Sequence, residues 1–236
     1  MSELGKREQA AMRAVARHLS ATWEEGGGSP DAYLTIAGKR IAAEIAAIER
    51  GRAERGGRAK PRLRFDKVVL RLVGGLQAAL GEVVPDGQAV MLTVTAPIRL
   101  PGKTAAALES KIRNCLARRS AKVGIEETIH GNQVRLRIVK GVSAKASKVI
   151  GFVHNPETDA EALLDLTQSL LQQIGTAADK PMPKKFTSDR WLVIANEDGF
   201  PHIETYRQIY GQLSIPNDFT KILMLSAGGR VETLTG

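Results

Sequence analysis

Hydrophobic and polar positions recur along this chain with two different periods, and the changes between them predict its elements. Apolar residues three and four positions apart predict helices, and short runs rich in Val, Ile, Leu and Thr predict strands. The predicted helices are 2–25, 65–80, 104–119, 159–174 and 203–213, and the predicted strands are 32–37, 40–48, 89–98, 133–140, 148–153, 191–195, 221–226 and 230–234. Because helices and strands alternate, we predict an α/β protein with a central mixed β-sheet flanked by helices.

Two segments interrupt this pattern. Residues 49–64, ERGRAERGGRAKPRLR, have no apolar period and predict an arm or a long loop. A Pro-containing linker at 179–187 precedes a C-terminal segment that is too short to expect an independent core, so we expect it to extend the sheet. We therefore predict a single domain over 1–236, with a core at 2–98 and a C-terminal extension at 99–236.

Composition narrows the class of protein. Aromatic residues make up 4% of the 236 residues, which disfavours a stacking platform for single-stranded nucleic acid. The lone Cys115 excludes an internal disulfide and a cysteine-rich zinc module. The chain begins with the charged MSELGKREQ and has no apolar run of about 18 residues, so we expect a cytoplasmic protein that does not cross a membrane.

The positive charge of the chain is concentrated in its first half. The net charge is +9, and residues 1–120 carry 21 Lys and Arg against 12 Asp and Glu, whereas residues 121–236 carry 13 of each. A one-sided basic field indicates a polyanionic partner. The alternative is that the charge serves solubility.

The segment 49–64, named here the basic arm, has a net charge of +5. Its basic residues are Arg50, Arg52, Arg55, Arg58, Lys60, Arg62 and Arg64. Guanidinium groups bind phosphate through two hydrogen bonds, so the arm favours binding to a nucleic-acid backbone without reading bases. We expect the partner to be DNA more than RNA. The alternative is a solvated loop without a partner.

The stretch SPDAYLTIAGKRIAAEIAAIE, residues 29–49, predicts a β-hairpin that carries two acids. A loop at Ala37-Gly38 sets Asp31 directly opposite Glu44, and a loop at Gly38-Lys39 sets them diagonally. Since opposite residues share a face and faces alternate along a strand, both registers place the two carboxylates on one face. The other face then receives the apolar residues Leu34, Ile36, Ile41 and Ile45.

Two neighbouring carboxylates repel each other, or they bind a hard cation such as Mg²⁺ that can assist phosphodiester hydrolysis. Pro30-Asp31, a turn and Glu44-Ile45-Ala46 on the next strand resemble the PD-(D/E)XK nuclease superfamily over roughly residues 2–98. The resemblance implies a restriction-endonuclease-like core, Asp31 and Glu44 as metal ligands for Mg²⁺, and assistance from Glu8 on the first helix. The expected order is a helix, the hairpin, the helix 65–80 and the strand 89–98.

The lysine of this motif is missing. It should stand two residues after Glu44, where this chain has Ala46. We therefore expect a nucleic-acid-binding protein with a nuclease-like fold and weak or absent cleavage. One alternative is an active metal-dependent nuclease with a relocated lysine, for which Lys67 is a candidate. A second alternative is a protein-interaction or structural module without nucleic acid.

The acid pair also has a purely structural interpretation. Asp31 would cap a turn after Pro30, and Glu44 would be a solvated strand residue paired with Arg40 or Lys39.

Overall fold

The computed structural model describes residues 4–48, 67–117, 124–142, 146–154, 160–182, 189–196, 203–213, 215 and 217–235. The helices in this part of the chain are α1 (Lys6–His18), α2 (Lys67–Leu80), α3 (Pro101–Ala117), α4 (Ala160–Asp179) and α5 (Ile203–Leu213). The strands are β1 (Thr22–Glu25), β2 (Ala32–Ile36), β3 (Lys39–Ile48), β4 (Gln88–Thr95), β5 (Gly124–Ile129), β6 (Asn132–Lys140), β7 (Val149–His154), β8 (Arg190–Asn196), β9 (Lys221–Ser226) and β10 (Val231–Thr235). The α/β class with mixed sheets is confirmed. None of these helices is long and apolar enough to cross a membrane.

The strands form two sheets, where the sequence predicted one central sheet. The first has the order β1-β2-β3-β8-β9-β10 and the second the order β5-β6-β4-β7. The chain divides accordingly into two compact units: Met1–Arg52 with Gln172–Arg207 and Pro216–Gly236, and Ala53–Leu171 with Gln208–Ile215. Helix α2 and strand β4, which the predicted core at 2–98 includes, belong to the second unit, while β8 to β10 extend the sheet of the hairpin.

The first unit is built around the hairpin β2–β3. Strands β1, β2 and β3 pair antiparallel, β3, β8 and β9 run parallel, and β10 pairs antiparallel with β9. Helix α1 packs Met12 and Val15 against one face of this sheet. Strand β3 has a neighbour on each side, and residues 41–46 are all buried. Glu44 therefore stands in a buried central strand.

The predicted first helix was too long. It ends at His18, Ser20 adopts a positive φ of 51°, and residues 22–25 form β1 instead of a further helical turn. Trp23 pairs with Leu34 of β2 and packs against the core. Pairing with β2 therefore outweighs the helical pattern in this segment, because Thr22 and Trp23 have low helix propensity and favour strands.

The second unit has its own core. Strand β4 is central, antiparallel to β6 and parallel to β7, and β5 pairs with β6. Leu72 and Leu76 of α2 and Leu108 and Ile112 of α3 are buried in one cluster with β4. Strand β5 was not predicted, since it is a half-exposed strand with two consecutive glutamates and a weak apolar alternation.

Candidate active site

The hairpin β2–β3 adopts one of the two predicted registers. Ile36 pairs with Lys39, so the loop is Ala37-Gly38, and both loop residues have positive φ, 48° and 82°. Such a loop matches the right-handed twist of the two strands. Ala32 pairs with Ala43, and one residue further the same register sets Asp31 opposite Glu44.

The two predicted faces of the hairpin are confirmed. Leu34, Ile41 and Ile45 are buried in the core cluster beneath α1, and Ile36 packs against it. Glu44, which alternates with these residues, is on the other face. The backbone N–H of Ile45 donates to Asp31 Oδ2 at 2.8 Å, which fixes this carboxylate beside β3.

A lysine from outside the hairpin contacts both acids. Lys180 Nζ donates to Asp31 Oδ2 at 2.7 Å and to Glu44 Oε2 at 3.0 Å. Lys180 directly follows the last residue of α4, so the end of this helix delivers an ammonium group to the acid pair. Lys180 stands 134 positions after Ala46, where the motif would place its lysine.

Glu44 is fully buried and has two further partners. Its Oε1 accepts hydrogen bonds from Arg190 Nη2 at 3.1 Å and from Ser29 Oγ at 3.0 Å. Burying an ionised carboxylate is costly unless charged partners and hydrogen bonds compensate for the lost water. Lys180, Arg190 and Ser29 together provide that compensation.

These contacts contradict the interpretation of Glu44 as a solvated strand residue. It has no exposed surface, and its cationic partners are Lys180 and Arg190. Arg40 instead pairs with Glu24, and Lys39 pairs with Asp189.

The acid pair raises the pKa of Lys180. Partial burial acts to lower the pKa of this ammonium, but the hydrogen bonds and negative charges of Asp31 and Glu44 together outweigh it. The pKa therefore lies above its ordinary value of 10.5. Lys180 is protonated at neutral pH and acts on its surroundings as a hydrogen-bond donor and a positive charge.

The donor set of the site suits a partly hydrated Mg²⁺. Asp31 and Glu44 direct carboxylate oxygens at one cation, the ammonium of Lys180. Among the residues that the structure describes, no group of three or more His, Cys, Asp or Glu could hold a metal ion, so an all-protein cage is not formed there. Mg²⁺ keeps several waters and binds through one or two carboxylates, which Asp31 and Glu44 can supply.

Two further predicted site residues, Glu8 and Lys67, lie in described helices. Glu8 lies on α1, which packs on the opposite face of the sheet, and its carboxylate accepts a hydrogen bond from the N–H of Gly5 at 2.8 Å. Glu8 thus caps the start of α1. Lys67 is the first residue of α2, in the second unit. The basic arm, with Arg50, Arg52, Arg55, Arg58, Lys60, Arg62 and Arg64, lies outside the described residues.

Sequence reasoning missed Lys180 and Arg190. Lys180 stands in the segment interpreted as a linker, and Arg190 stands at the start of an apolar strand. A basic residue that opens a buried strand requires an acidic partner, and this was the one available signal. It does not identify which acid that partner is.

Comparisons with known proteins add no relatives to this description. No family model, no curated protein and no solved structure matches the chain.

The loop before Asp31 allows a direct test of how the site is held. A Cβ on Gly26 would lie 1.9 Å from the carbonyl oxygen of Pro30, and the N–H of Gly26 donates to the Asp31 carbonyl at 2.9 Å. We expect Gly26→Ala to lower the free energy of unfolding by about 1–3 kcal/mol, the usual cost of an overpacked site. Urea unfolding followed by circular dichroism measures this change.

Gly28→Ala is the matched control. A Cβ on Gly28 meets no atom within 4 Å, and we expect its stability to stay within about 1 kcal/mol of the original protein. Equal unfolding midpoints for the two variants would show that the close approach of Gly26 and Pro30 does not constrain the loop.

Proposed function

We propose that the protein binds nucleic acid and hydrolyses its phosphodiester bonds with a divalent metal, using Asp31 and Glu44 as metal ligands and Lys180 as the relocated lysine. The observation that carries this proposal is the contact of one ammonium with both carboxylates, at 2.7 and 3.0 Å. The expectation of weak cleavage rested on Ala46 alone. Lys180 removes that reason and favours the alternative of an active nuclease.

The order of elements in the first unit supports the proposal. The resemblance led us to expect a helix, the acid-bearing hairpin, a helix and a strand. Within this unit the chain follows α1 and the hairpin with the C-terminal part of α4 and then with β8, which pairs parallel to β3. In this proposal, α4 and β8 would take the positions expected for 65–80 and 89–98.

The chain's own residues have distinct tasks in this reaction. Asp31 and Glu44 would hold the metal, and a bound Mg²⁺ would orient the attacking water and stabilise developing negative charge. Lys180 is protonated, so it donates hydrogen bonds to phosphate oxygens or to water and does not accept a proton. Arg190 and Ser29 keep the Glu44 carboxylate in place through Oε1. Preorganised donors of this kind stabilise charge that develops in the transition state.

Charge distribution supports a polyanionic substrate. The excess of +9 falls entirely in residues 1–120, which include the hairpin and the basic arm. Phosphate contacts by lysine and arginine supply affinity without regard to base sequence. We therefore propose a nucleic acid bound through its backbone as the substrate, with DNA as the first one to test.

The proposal predicts cleavage that requires both the metal and Asp31. Purified protein with Mg²⁺ or Mn²⁺ is expected to cut plasmid or single-stranded DNA, and EDTA is expected to stop the reaction. Asp31→Asn keeps the shape of the side chain but removes its charge, and we expect it to lower the rate by at least about 100-fold, as for other preorganised charges at reacting centres. Gel electrophoresis of timed samples measures the rate.

Asp86→Asn is the control for this experiment. Asp86 is an exposed carboxylate of the second unit that pairs with Lys148, and its replacement is expected to leave cleavage unchanged. Intact DNA and RNA after incubation of the original protein with both metals would overturn the nuclease proposal. Retained, salt-sensitive binding in those samples would then return the protein to the class of nucleic-acid binders without cleavage.

The second candidate function is purely structural. It concerns the ion pairs of Lys180 and Arg190 with Asp31 and Glu44, named here the ionic cluster. It is favoured by the complete burial of Glu44 and by Arg190, whose side chain is 5% exposed. In that case the cluster only ties the end of α4 to β3, and the carboxylates bind no metal. Isothermal titration with Mg²⁺ and Mn²⁺ separates the two functions, since only the nuclease requires binding that Asp31→Asn weakens.

A further inference from the structure

Arg190 connects three parts of the first unit through one nitrogen atom. Its Nη2 carries two N–H groups and lies within hydrogen-bond distance of three oxygens: Glu44 Oε1 at 3.1 Å, the carbonyl of Ala177 at 2.8 Å and the carbonyl of Lys180 at 3.0 Å, so one N–H is shared between two of them. Its Nη1 donates to Asp218 Oδ1 at 2.8 Å. Arg190 itself is anchored in β8, opposite Ala42 of β3.

The contacts with Ala177 and Lys180 hold the end of α4. The last carbonyls of a helix have no partner within the helix, and basic side chains commonly satisfy them. Besides the bonds within the helix, a backbone bond runs from the N–H of Lys180 to the carbonyl of Ala177, at 3.3 Å. The position of the Lys180 backbone therefore depends on Arg190.

The same nitrogen determines which oxygen of Glu44 is available. Arg190 and Ser29 occupy Oε1, so Oε2 is the oxygen that meets the Lys180 ammonium. Arg190 also provides Glu44 with a second positive charge. When Lys180 contacts a substrate, Glu44 remains paired and in place.

We propose that Arg190 is a positioning residue for the proposed hydrolysis: it fixes the end of α4 relative to Glu44 and thereby sets where Lys180 presents its ammonium. This inference rests on the proposed function. Arg190 does not contact the substrate in this role, because its side chain is 5% exposed. It acts through Glu44 and Lys180.

The decisive variant is Arg190→Lys. Lysine keeps the charge beside Glu44 but lacks the planar fork, which contacts Asp218 through Nη1 while Nη2 contacts Glu44 and the end of α4. We expect kcat for DNA cleavage to fall by about 10- to 100-fold with KM within about 3-fold, the usual result of losing a partner that orients a reacting group. A purely structural arginine would reduce the amount of folded protein and leave kcat per folded molecule unchanged.

A second measurement does not depend on activity. Hydrogen exchange, followed by mass spectrometry of peptides that cover 172–182, is expected to be at least about 10-fold faster in Arg190→Lys, because the end of α4 loses its anchor. Arg207→Gln is the matched control. Arg207, also in the first unit, donates to the Thr233 carbonyl and to Glu204 and contacts none of the site residues.

The outcomes separate this inference from the proposed function. Unchanged exchange at 172–182, or a fall in kcat no greater than that of Arg207→Gln, would overturn the positioning role. Faster exchange with unchanged kcat would also overturn it.

If the original protein cleaves no substrate, the proposed function fails, and the positioning role for hydrolysis fails with it. The exchange measurement then still reports whether Arg190 holds α4. Arg190→Gln is unsuitable as the main variant, because it removes a positive charge from beside the buried Glu44, whereas Arg190→Lys keeps that charge.

Discussion

Replacing Lys180 with methionine is expected to lower the rate of DNA cleavage by about 100- to 1000-fold, the cost of losing one preorganised donor at a reacting centre. Methionine keeps an unbranched side chain of similar length and removes the ammonium that contacts Asp31 and Glu44. We expect the variant to fold, because the side chain of Lys180 is 33% exposed and Glu44 retains Arg190. Single-turnover cleavage at saturating Mg²⁺ measures the effect.

Lys39→Met provides the comparison for Lys180. Lys39 lies in the same unit and forms an ion pair of similar length, 2.8 Å to Asp189, but its side chain is 60% exposed and it contacts neither acid. We expect Lys39→Met to cleave at the original rate. If Lys180→Met also cleaves within about 3-fold of that rate, Lys180 is not the functional lysine, since a removed donor should cost far more.

The second large effect concerns stability. Glu44→Ala is expected to lower the free energy of unfolding by about 3–5 kcal/mol, because it leaves Arg190 buried without its carboxylate partner. Asp218 remains bonded to Arg190, but its side chain is 60% exposed, so it stabilises the buried charge of Arg190 less than Glu44 does. Urea unfolding of the full chain measures the change, and the loss of metal binding follows in the same variant.

Glu24→Ala is the corresponding control. Glu24 pairs with Arg40 at 2.5 Å, and its side chain is 61% exposed, so the loss should be within about 1 kcal/mol. Equal destabilisation by Glu44→Ala and Glu24→Ala would show that the buried ion pairs of Glu44 contribute no more to the free energy of unfolding than an exposed pair does. Stability and cleavage are measured separately. A stable but inactive Lys180→Met would assign Lys180 to the reaction, and an unstable Glu44→Ala would show that Glu44 also stabilises the fold.

The local pattern of apolar and polar residues was sufficient to predict the hairpin and most of the helices and strands. Helix α5 and strand β9 have the predicted bounds, 203–213 and 221–226, because an amphipathic helix and an apolar strand each carry their period within their own residues. The shared face of Asp31 and Glu44 was predicted for the same reason. Parity along two strands joined by a two-residue loop is a local property.

The pairing of the strands and the completion of the site were decided only by tertiary structure. Nothing in the period of β3 indicates that its parallel neighbour is β8, since parallel strands need a crossover and any distant apolar strand could fill that place. The periods of the strands likewise do not indicate that they form two sheets, as the structure shows, and not the predicted single sheet. Lys180 and Arg190 reach Glu44 across 136 and 146 positions of the chain. The sequence by itself determined the acids and the face they share, because spacing encodes both. The cations that meet them were determined by packing, because an ion pair depends on distance in space, which the order of residues does not specify.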